Sequence, residues 1–230
     1  MIPVLAEQFA RYEEAGFDRR QTAIAASQWG VKLTGMLARG AVVRPRLRAS
    51  GGSLFLGRGA RLRNPQCIAH AGRLLLENYA EVQGLSRDGI RFGDHVVLGA
   101  FAMIRPSGYY ARELGVGIAV GDRSSVGPYG YLGCSGGIVI GADVLLGPGV
   151  RVFAEDHNFA AGDATIRSQH VTWDPVVIED DCWLGSGVTV TSGVTIGRSS
   201  VIGAGSVVTA DIPPYSVAAG SPARVLRSRG

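Results

Sequence analysis

The sequence predicts an all-β solenoid, a parallel β-helix with three strands per coil, and three observations support this prediction. Glycine contributes 34 of the 230 residues, while charged residues make up only 18%. Apolar side chains recur at every sixth position, commonly with a glycine directly after them. The uninterrupted stretches are 92–109, 120–137, 140–157 and 178–213, and each holds three or six such units. Three short strands joined by three corners would therefore form one coil.

The six-residue register predicts which side chains point inward. Its fifteen positions are all apolar: Phe92, Leu98, Ile104, Val120, Val126, Leu132, Ile140, Leu146, Val152, Ile178, Leu184, Val190, Ile196, Ile202 and Val208. Each can stack on its equivalent in the next coil, and the glycine that often follows lets the chain turn unobstructed. Eight residues, each four positions after such a residue, are also expected inside: Ala102, Ser124, Val144, Val150, Val188, Val194, Ser200 and Ser206.

The composition excludes several other classes of protein. Low charge and high apolar content argue against a disordered chain, and the glycines lack the three-residue period of collagen. Glycine costs a helix interior about 1 kcal/mol per residue, which argues against a helix bundle. No apolar run reaches the length of a transmembrane helix. Three cysteines without a CxxC spacing are typical of reduced thiols, so we expect a cytoplasmic protein.

Three segments are predicted along the chain. Residues 1–50 form a short N-terminal helical and irregular segment, because apolar residues at 5, 9 and 12 have helical spacing and Asp18 can cap a helix. We expect one or two short helices that cover the first coil or contact a neighbouring subunit. Residues 51–213 form the β-helix, with a loop insertion at 158–177, and residues 214–230 form a tail. A solenoid gains nothing from such an insertion, so the loop is expected to form a site.

A basic segment precedes the regular coils. No acidic residue occurs between Asp18 and Glu77, whereas eight arginines fall between Arg39 and Arg73. Such a segment suits an anionic lipid, an acidic glycan or a nucleic acid, and equally a solvated face or a subunit contact. No nucleic-acid motif accompanies it, so we expect no nucleic-acid partner. Peripheral membrane contact stays open.

His157 is the strongest candidate for chemistry among the four histidines. It ends the last six-residue unit before the long loop and follows Asp156. Histidine can accept a proton at neutral pH, which suits a general base. The four histidines are 25, 62 and 13 residues apart, at positions 70, 95, 157 and 170, which is not a metal-ligand spacing. We therefore expect no metal.

The C-terminal half resembles the hexapeptide-repeat acyltransferases, in particular sugar O-acetyltransferases of the galactoside, maltose and surface-polysaccharide type. The resemblance rests on 120–157 and 176–227, with the motifs Cys182-Trp183-Leu184-Gly185, Gly203-Ala204-Gly205-Ser206 and Gly220-Ser221-Pro222-Ala223-Arg224. It implies a left-handed parallel β-helix of hexapeptide repeats. It also implies acetyl-CoA as acyl donor, a sugar or glycan acceptor, and a homotrimer with active sites between subunits.

The resemblance also implies roles for individual residues. His157 matches the catalytic base, and either Asp156 or a backbone carbonyl would orient it. His170 is a second, weaker candidate for substrate contact. Trp183 would line the active-site cleft. The expected coenzyme A site includes the C-terminal tail and comprises Trp183, Gly185, Ser186, Gly203, Ala204, Gly205, Thr209, Arg224 and Arg227, with the two arginines on the phosphates.

The expected activity is transfer of an acetyl group from acetyl-CoA to a sugar hydroxyl, within polysaccharide or glycolipid biosynthesis. The hydroxyl would attack the thioester directly, without an acyl-enzyme. N-acetylation of a nucleotide-linked amino sugar on the same fold is the alternative. A non-catalytic β-helix such as an ice-binding array is disfavoured, because the threonines are few and out of phase.

Overall fold

The computed structural model describes residues 15, 16, 18–106 and 113–230. Helix α1 (Arg19–Val43) precedes seven coils in this part of the chain. The first four coils contain β1 (Ala49–Ser50), β2 (Leu54–Leu56) and β3 (Arg61–Arg63); β4 (Ile68–His70), β5 (Leu74–Leu76) and β6 (Glu81–Gln83); β7 (Gly89–Phe92), β8 (Val96–Leu98) and β9 (Met103–Arg105); and β10 (Gly117–Val120), β11 (Ser125–Val126) and β12 (Tyr131–Gly133).

The remaining coils carry the loop insertion and the C-terminal hairpin. They contain β13 (Ile138–Ile140), β14 (Leu145–Leu146) and β15 (Arg151–Phe153); the inserted β16 (Asp156–His157) and β17 (Val171–Thr172); β18 (Val176–Ile178), β19 (Trp183–Leu184) and β20 (Thr189–Val190); β21 (Thr195–Ile196), β22 (Val201–Ile202) and β23 (Val207–Val208); and finally β24 (Ser216–Gly220) and β25 (Ala223–Ser228). Short 3-10 turns lie at Arg44–Arg46, Pro65–Cys67 and Ile166–Ser168.

Three parallel sheets form the sides of the solenoid. Sheet A has the order β1-β4-β7-β10-β13-β18-β21, and sheet C contains β3, β6, β9, β12, β15, β20 and β23. Sheet B has the order β2-β5-β8-β11-β14-β19-β22-β24-β25, in which only the last pair is antiparallel. Each strand pairs with the strand one coil away, so contacts run between neighbouring coils as the period predicts.

The predicted interior is confirmed. All fifteen inward residues of the register are at most 3% exposed, and the eight small residues predicted beside them are buried as well. The breaks in the six-residue register all fall at one corner, where the chain passes from sheet C back to sheet A. That step takes eight residues at Leu132–Ile140, 26 at Val152–Ile178 and six at Val190–Ile196. Insertions are therefore confined to one edge of the solenoid.

Helix α1 begins where the sequence predicts and extends further than expected. The Asp18 carboxylate accepts a hydrogen bond from the Gln21 backbone N–H at 2.8 Å, and the Gln21 side chain accepts from the Asp18 N–H at 3.1 Å. The helix continues to Val43 despite three internal glycines, because it packs on β2. A Cβ at Gly40 would lie 1.8 Å from the Leu54 carbonyl oxygen, so only glycine permits this contact. The apolar spacing at 5, 9 and 12 lies outside the described residues.

Part of the basic segment ties α1 and the first coils together. Arg39 Nε donates to the Leu56 carbonyl at 2.8 Å, and Arg63 Nε lies 3.3 Å from a Glu81 carboxylate oxygen. These arginines have structural partners within the chain, which favours the structural interpretation for them.

The inward row of sheet A is polar at His70. His70 is 2% exposed, with Nδ1 2.6 Å from the Gly72 carbonyl oxygen and Nε2 2.7 Å from the Ser50 hydroxyl. Because the carbonyl can only accept, Nδ1 carries the proton and Nε2 accepts from Ser50. Burial lowers the pKa of His70, and the nearby Arg44 guanidinium acts in the same direction. His70 is therefore a neutral structural histidine.

Candidate active site

His157 lies at the corner where sheet C returns to sheet A, immediately after the fifth coil. Its strand β16 pairs antiparallel with β17, with His157 opposite Val171. This pairing closes the inserted loop, and both residues of β16 are exposed. The long frame break of the sequence is thus a hairpin that projects from the solenoid and begins at the candidate base.

A cleft of about 580 Å³ lies along this hairpin. Its lining comprises Asp156, His157, Asn158, Phe159, Ala160, Ala161, Gln169, Thr172 and Asp174. The imidazole therefore faces a space large enough for a small polar ligand, with two carboxylates at its margin. No metal-ligand cluster of three His, Cys, Asp or Glu side chains occurs among the residues described.

The structure brings Asp156 and His157 to the same cleft without joining them. Within 15, 16, 18–106 and 113–230, neither side chain has a hydrogen-bond partner, so Asp156 as the orienting group stays a prediction. His170 lies directly before β17, the strand opposite that of His157, and its backbone carbonyl accepts a hydrogen bond from the Asn158 N–H at 3.2 Å. Its backbone has a left-handed φ of 66°, and its side chain is not among those that line the cleft.

Two polar side chains that sequence reasoning missed hold the hairpin in shape. Gln169 bridges the loop, accepting from the Ala161 N–H at 2.9 Å and donating to the Ala161 and Ala164 carbonyls. Asn158 accepts from the Thr172 hydroxyl at 2.9 Å and donates to the Gln169 carbonyl. Asn158 begins the insertion and Gln169 lies within it, so the available signal was their amide side chains, which can both donate and accept hydrogen bonds in a loop.

Trp183 lies on a different surface from His157. It points outward from sheet B, is 54% exposed, and stands between Leu145 and Val201 of the adjacent coils. A second cleft, of about 380 Å³, lies there and shares no lining residue with the His157 cleft. Within one chain, the two sequence-predicted parts of the active site are therefore apart.

Arg229 at the second cleft was also missed. Its Nη1 lies 2.9 Å from an Asp181 carboxylate oxygen and donates to the Ser199 carbonyl at 3.0 Å. The Ser199 hydroxyl and the Arg229 guanidinium lower the pKa of Asp181. This ion pair links the residue that follows β25 to the turn before β19, beside Trp183.

The small residues predicted to bind coenzyme A lie at the corner between sheets B and C. The turn with Gly185 and Ser186 adjoins the turn 203–205, since the Gly205 N–H donates to the Ser186 carbonyl at 2.9 Å. A Cβ at Gly185 would lie 2.7 Å from the Ala204 nitrogen, and one at Gly203 would lie 2.9 Å from the Ala219 Cβ. Coil packing therefore accounts for those two glycines. A Cβ at Gly205 would meet no atom within 4 Å, so among the three glycines predicted to bind coenzyme A only Gly205 borders open space.

The predicted phosphate ligands are placed at the C-terminal end. Arg224 and Arg227 are exposed on β25, and each guanidinium donates to a carbonyl of its own strand, at 2.9 and 3.0 Å. Both are thus accessible to an anion. Thr209 is exposed just after β23, and neither cleft includes any of the three.

Comparison with known proteins confirms the resemblance found in the sequence. Residues 175–210 match the hexapeptide repeat of succinyl-transferase. The galactoside O-acetyltransferase of Escherichia coli is 43% identical over 90 residues, which are 39% of this chain and 43% of that protein. The chain spans 42% to 51% of the length of further curated relatives.

Solved structures confirm the left-handed parallel β-helix. A hexapeptide-repeat acetyltransferase of Vibrio cholerae, complexed with acetyl coenzyme A, is 25% identical with a TM-score of 0.51, and the match covers 92% of each chain. An N-acyltransferase of Bacillus cereus has a TM-score of 0.56 at 15% identity, covering 84% of this chain and 89% of that one, which shows the fold alone. No described helix is long and apolar enough to cross a membrane.

Proposed function

We propose that this chain, which shares its hexapeptide repeat with acetyltransferases, transfers an acetyl group from acetyl-CoA to a sugar hydroxyl. The observation that carries the proposal is the placement of His157. It follows the fifth coil directly, its side chain is exposed to a cleft, and no other described side chain occupies its ring nitrogens. A histidine so placed can accept a proton from a substrate.

In this mechanism the acceptor hydroxyl attacks the thioester carbonyl while the His157 imidazole takes the hydroxyl proton. The new C–O bond forms as the carbonyl electrons move to oxygen. Collapse of the tetrahedral intermediate breaks the C–S bond, and the imidazolium returns the proton to the coenzyme A thiolate. General-base help of this kind contributes about 10²- to 10⁴-fold in rate.

We infer that the complete site is assembled between subunits of a homotrimer. Sheet B presents a row of outward residues, one per coil, of which Leu145 and Trp183 are exposed and the others half-buried: Phe55, Leu75, Val97, Ser125, Leu145, Trp183, Val201 and Val217. Seven of these eight are large and apolar, which is typical of a surface covered by another chain. A second copy on this face would bury Trp183 and bring it to a His157 cleft, which one chain alone does not achieve.

The coenzyme is assigned to the corner between sheets B and C and to the C-terminal end. The open space beside Gly205 would admit the thin pantetheine arm, with Ser186 and Ala204 alongside. Arg224 and Arg227 would bind phosphates through charge-assisted hydrogen bonds, since both guanidinium groups are exposed. Trp183 and Thr209 complete the proposed set.

We further propose that the acceptor belongs to polysaccharide or glycolipid biosynthesis and that the reaction occurs in the cytoplasm. The similarity to a galactoside O-acetyltransferase supports a hydroxyl acceptor. The alternative acceptor, an amino sugar, would give an amide rather than an ester. Hydroxylamine cleaves acetyl esters and leaves acetamides intact, so the product distinguishes the two.

The test follows thiol release from acetyl-CoA across a panel of sugars, nucleotide sugars and amino sugars. His157→Ala should lower turnover by about 10²- to 10⁴-fold and keep the assembly and its melting temperature. His95→Ala is the matched control, because His95 is also exposed and stands beside an aspartate, Asp94, at 2.8 Å. Full activity of His157→Ala, or no thiol release with any acceptor, would refute the proposal.

A further inference from the structure

The corner between sheets B and C carries a set of aligned left-handed residues. In every coil, the third residue after the inward residue of sheet B has a positive φ, between 59° and 71°. Along the solenoid these residues are Gly59, Tyr79, Phe101, Tyr129, Gly149, Gly187 and Gly205. Glycine suits this backbone conformation, whereas bulky side chains are uncommon in it. Three consecutive coils nevertheless place an aromatic residue there.

The three aromatic rings form one stack along the edge of the solenoid. The ring centroids of Tyr79 and Phe101 are 5.1 Å apart with planes inclined by 12°. Those of Phe101 and Tyr129 are also 5.1 Å apart, with planes inclined by 2°. The spacing follows from the pairing of successive coils, which sets the rings one above the other.

The two ends of this stack differ. At one end the Tyr79 ring lies against Gly59, where an added Cβ would be 2.5 Å from the ring. At the other end Tyr129 faces the turn of Gly149, where an added Cβ would approach only Gly187, at 3.9 Å. Tyr129 is accordingly 66% exposed, against 49% for Tyr79 and 42% for Phe101. One flat face of Tyr129 is open.

The turns around this open face carry no charged side chain of their own. The turns 99–101, 127–130, 147–149, 185–187 and 203–205 contain glycine, alanine, proline, serine and the two aromatic residues, and no charged side chain. These turns offer no counter-charge to a phosphate or a carboxylate; the exposed Arg151 of β15 lies beyond them, two residues after Gly149. A neutral ring with a flat apolar face matches this surface, and the ring of a sugar has such a face.

We propose that the open face of Tyr129 stacks on a sugar ring of the acceptor and thereby positions it. This inference rests on the proposed function and adds the acceptor subsite to it. The open space beside Gly187 and Gly205 continues along the same corner. The acceptor ring and the pantetheine arm would therefore lie end to end, with the acetyl group between them.

The test compares Tyr129→Gly with Tyr79→Gly. Both replace a stacked aromatic residue by the glycine that four other coils carry at this position, so neither substitution strains the backbone. Only Tyr129→Gly removes an open ring face. Tyr129→Phe keeps the face and should behave as the unaltered protein does.

Two measurements separate this proposal from the proposed function. Saturation-transfer NMR with methyl glycosides and short oligosaccharides of glucose, galactose and N-acetylglucosamine, without acetyl-CoA, reports sugar binding alone. Initial rates report the KM values of acceptor and acetyl-CoA. We expect Tyr129→Gly to weaken sugar binding and raise the acceptor KM by about twofold to tenfold, with the acetyl-CoA KM and the oligomeric state unchanged. Tyr79→Gly should alter neither KM.

Several outcomes would overturn the assignment. They are equal sugar binding by Tyr129→Gly and Tyr79→Gly, an increase confined to the acetyl-CoA KM, dissociation of the assembly in Tyr129→Gly, or no binding of any probe sugar by the unaltered protein. Sugar binding that depends on Tyr129 in a protein that transfers no acetyl group would support the subsite and refute the activity.

Discussion

Replacement of Gly205 by alanine tests whether the corner between sheets B and C binds coenzyme A. Gly205 has a φ of 71°, and an added Cβ would point into open space with no atom within 4 Å. Gly193→Ala is the matched control. Its φ is 76°, its Cβ would make an ordinary contact at 3.5 Å with Asp174, and it lies at a different corner.

The expected cost in stability is the same for both variants. A side chain in the left-handed region costs about 1–2 kcal/mol. For a chain of this length each kcal/mol lowers the melting temperature by about 2–4 °C. Because neither methyl group collides with the protein, no further loss is expected.

The two variants should differ in coenzyme binding. If the pantetheine arm occupies the space beside Gly205, a methyl group there creates an overlap of the kind that costs about 1–3 kcal/mol. The Kd for coenzyme A would then rise by about 5- to 150-fold in Gly205→Ala. Isothermal titration calorimetry with coenzyme A measures this without requiring turnover. A Kd in Gly205→Ala equal to that in Gly193→Ala would refute the assignment of the groove.

Two further predictions concern charge. Arg224→Ala should raise the acetyl-CoA KM by more than it lowers kcat, because it removes a phosphate contact. The control is Arg61→Ala, which replaces an exposed arginine of the first coil. A loss confined to kcat would contradict the role of Arg224 in binding phosphate. Burial lowers the pKa of His70, so the unfolded chain binds the proton more tightly. The contribution of His70 to the free energy of unfolding should therefore be fully present at neutral pH and should decrease as the pH is lowered past about 6.5. Urea unfolding of His70→Phe should show a shallower fall, and an unchanged slope would count against the assignment.

The interior of the fold could be predicted from the sequence because its determinants are local. Inward apolar residues such as Leu184 occur at every sixth position and contact their equivalents one coil away, so the period alone identifies them. The Asp18 cap of α1 is local in the same sense. The length of α1 was not predictable, because a glycine such as Gly40 disfavours a helix interior. Only the contact between Gly40 and Leu54 explains why the helix continues through it.

The candidate site was predictable only in part. His157 can be identified from its position, since it ends a regular stretch before a long insertion. The other residues of its cleft cannot be identified in this way, because Gln169 and Asp174 reach the cleft only through the folding of the hairpin. Trp183 is close to His157 in the motif order and yet lies on another face of the same chain.

The sequence by itself determined which residues fill the solenoid and where the chain leaves it. Each repeated unit contacts only its neighbours, so the six-residue period is enough to identify the inward residues. Only the tertiary structure decided which side chains meet on the surface. The insertions at the corner between sheets C and A have unequal lengths. The number of residues between two positions therefore does not show whether they are stacked in neighbouring coils. Tyr79, Phe101 and Tyr129 are separated by 22 and 28 residues and still form one stack, because coil pairing places them in register.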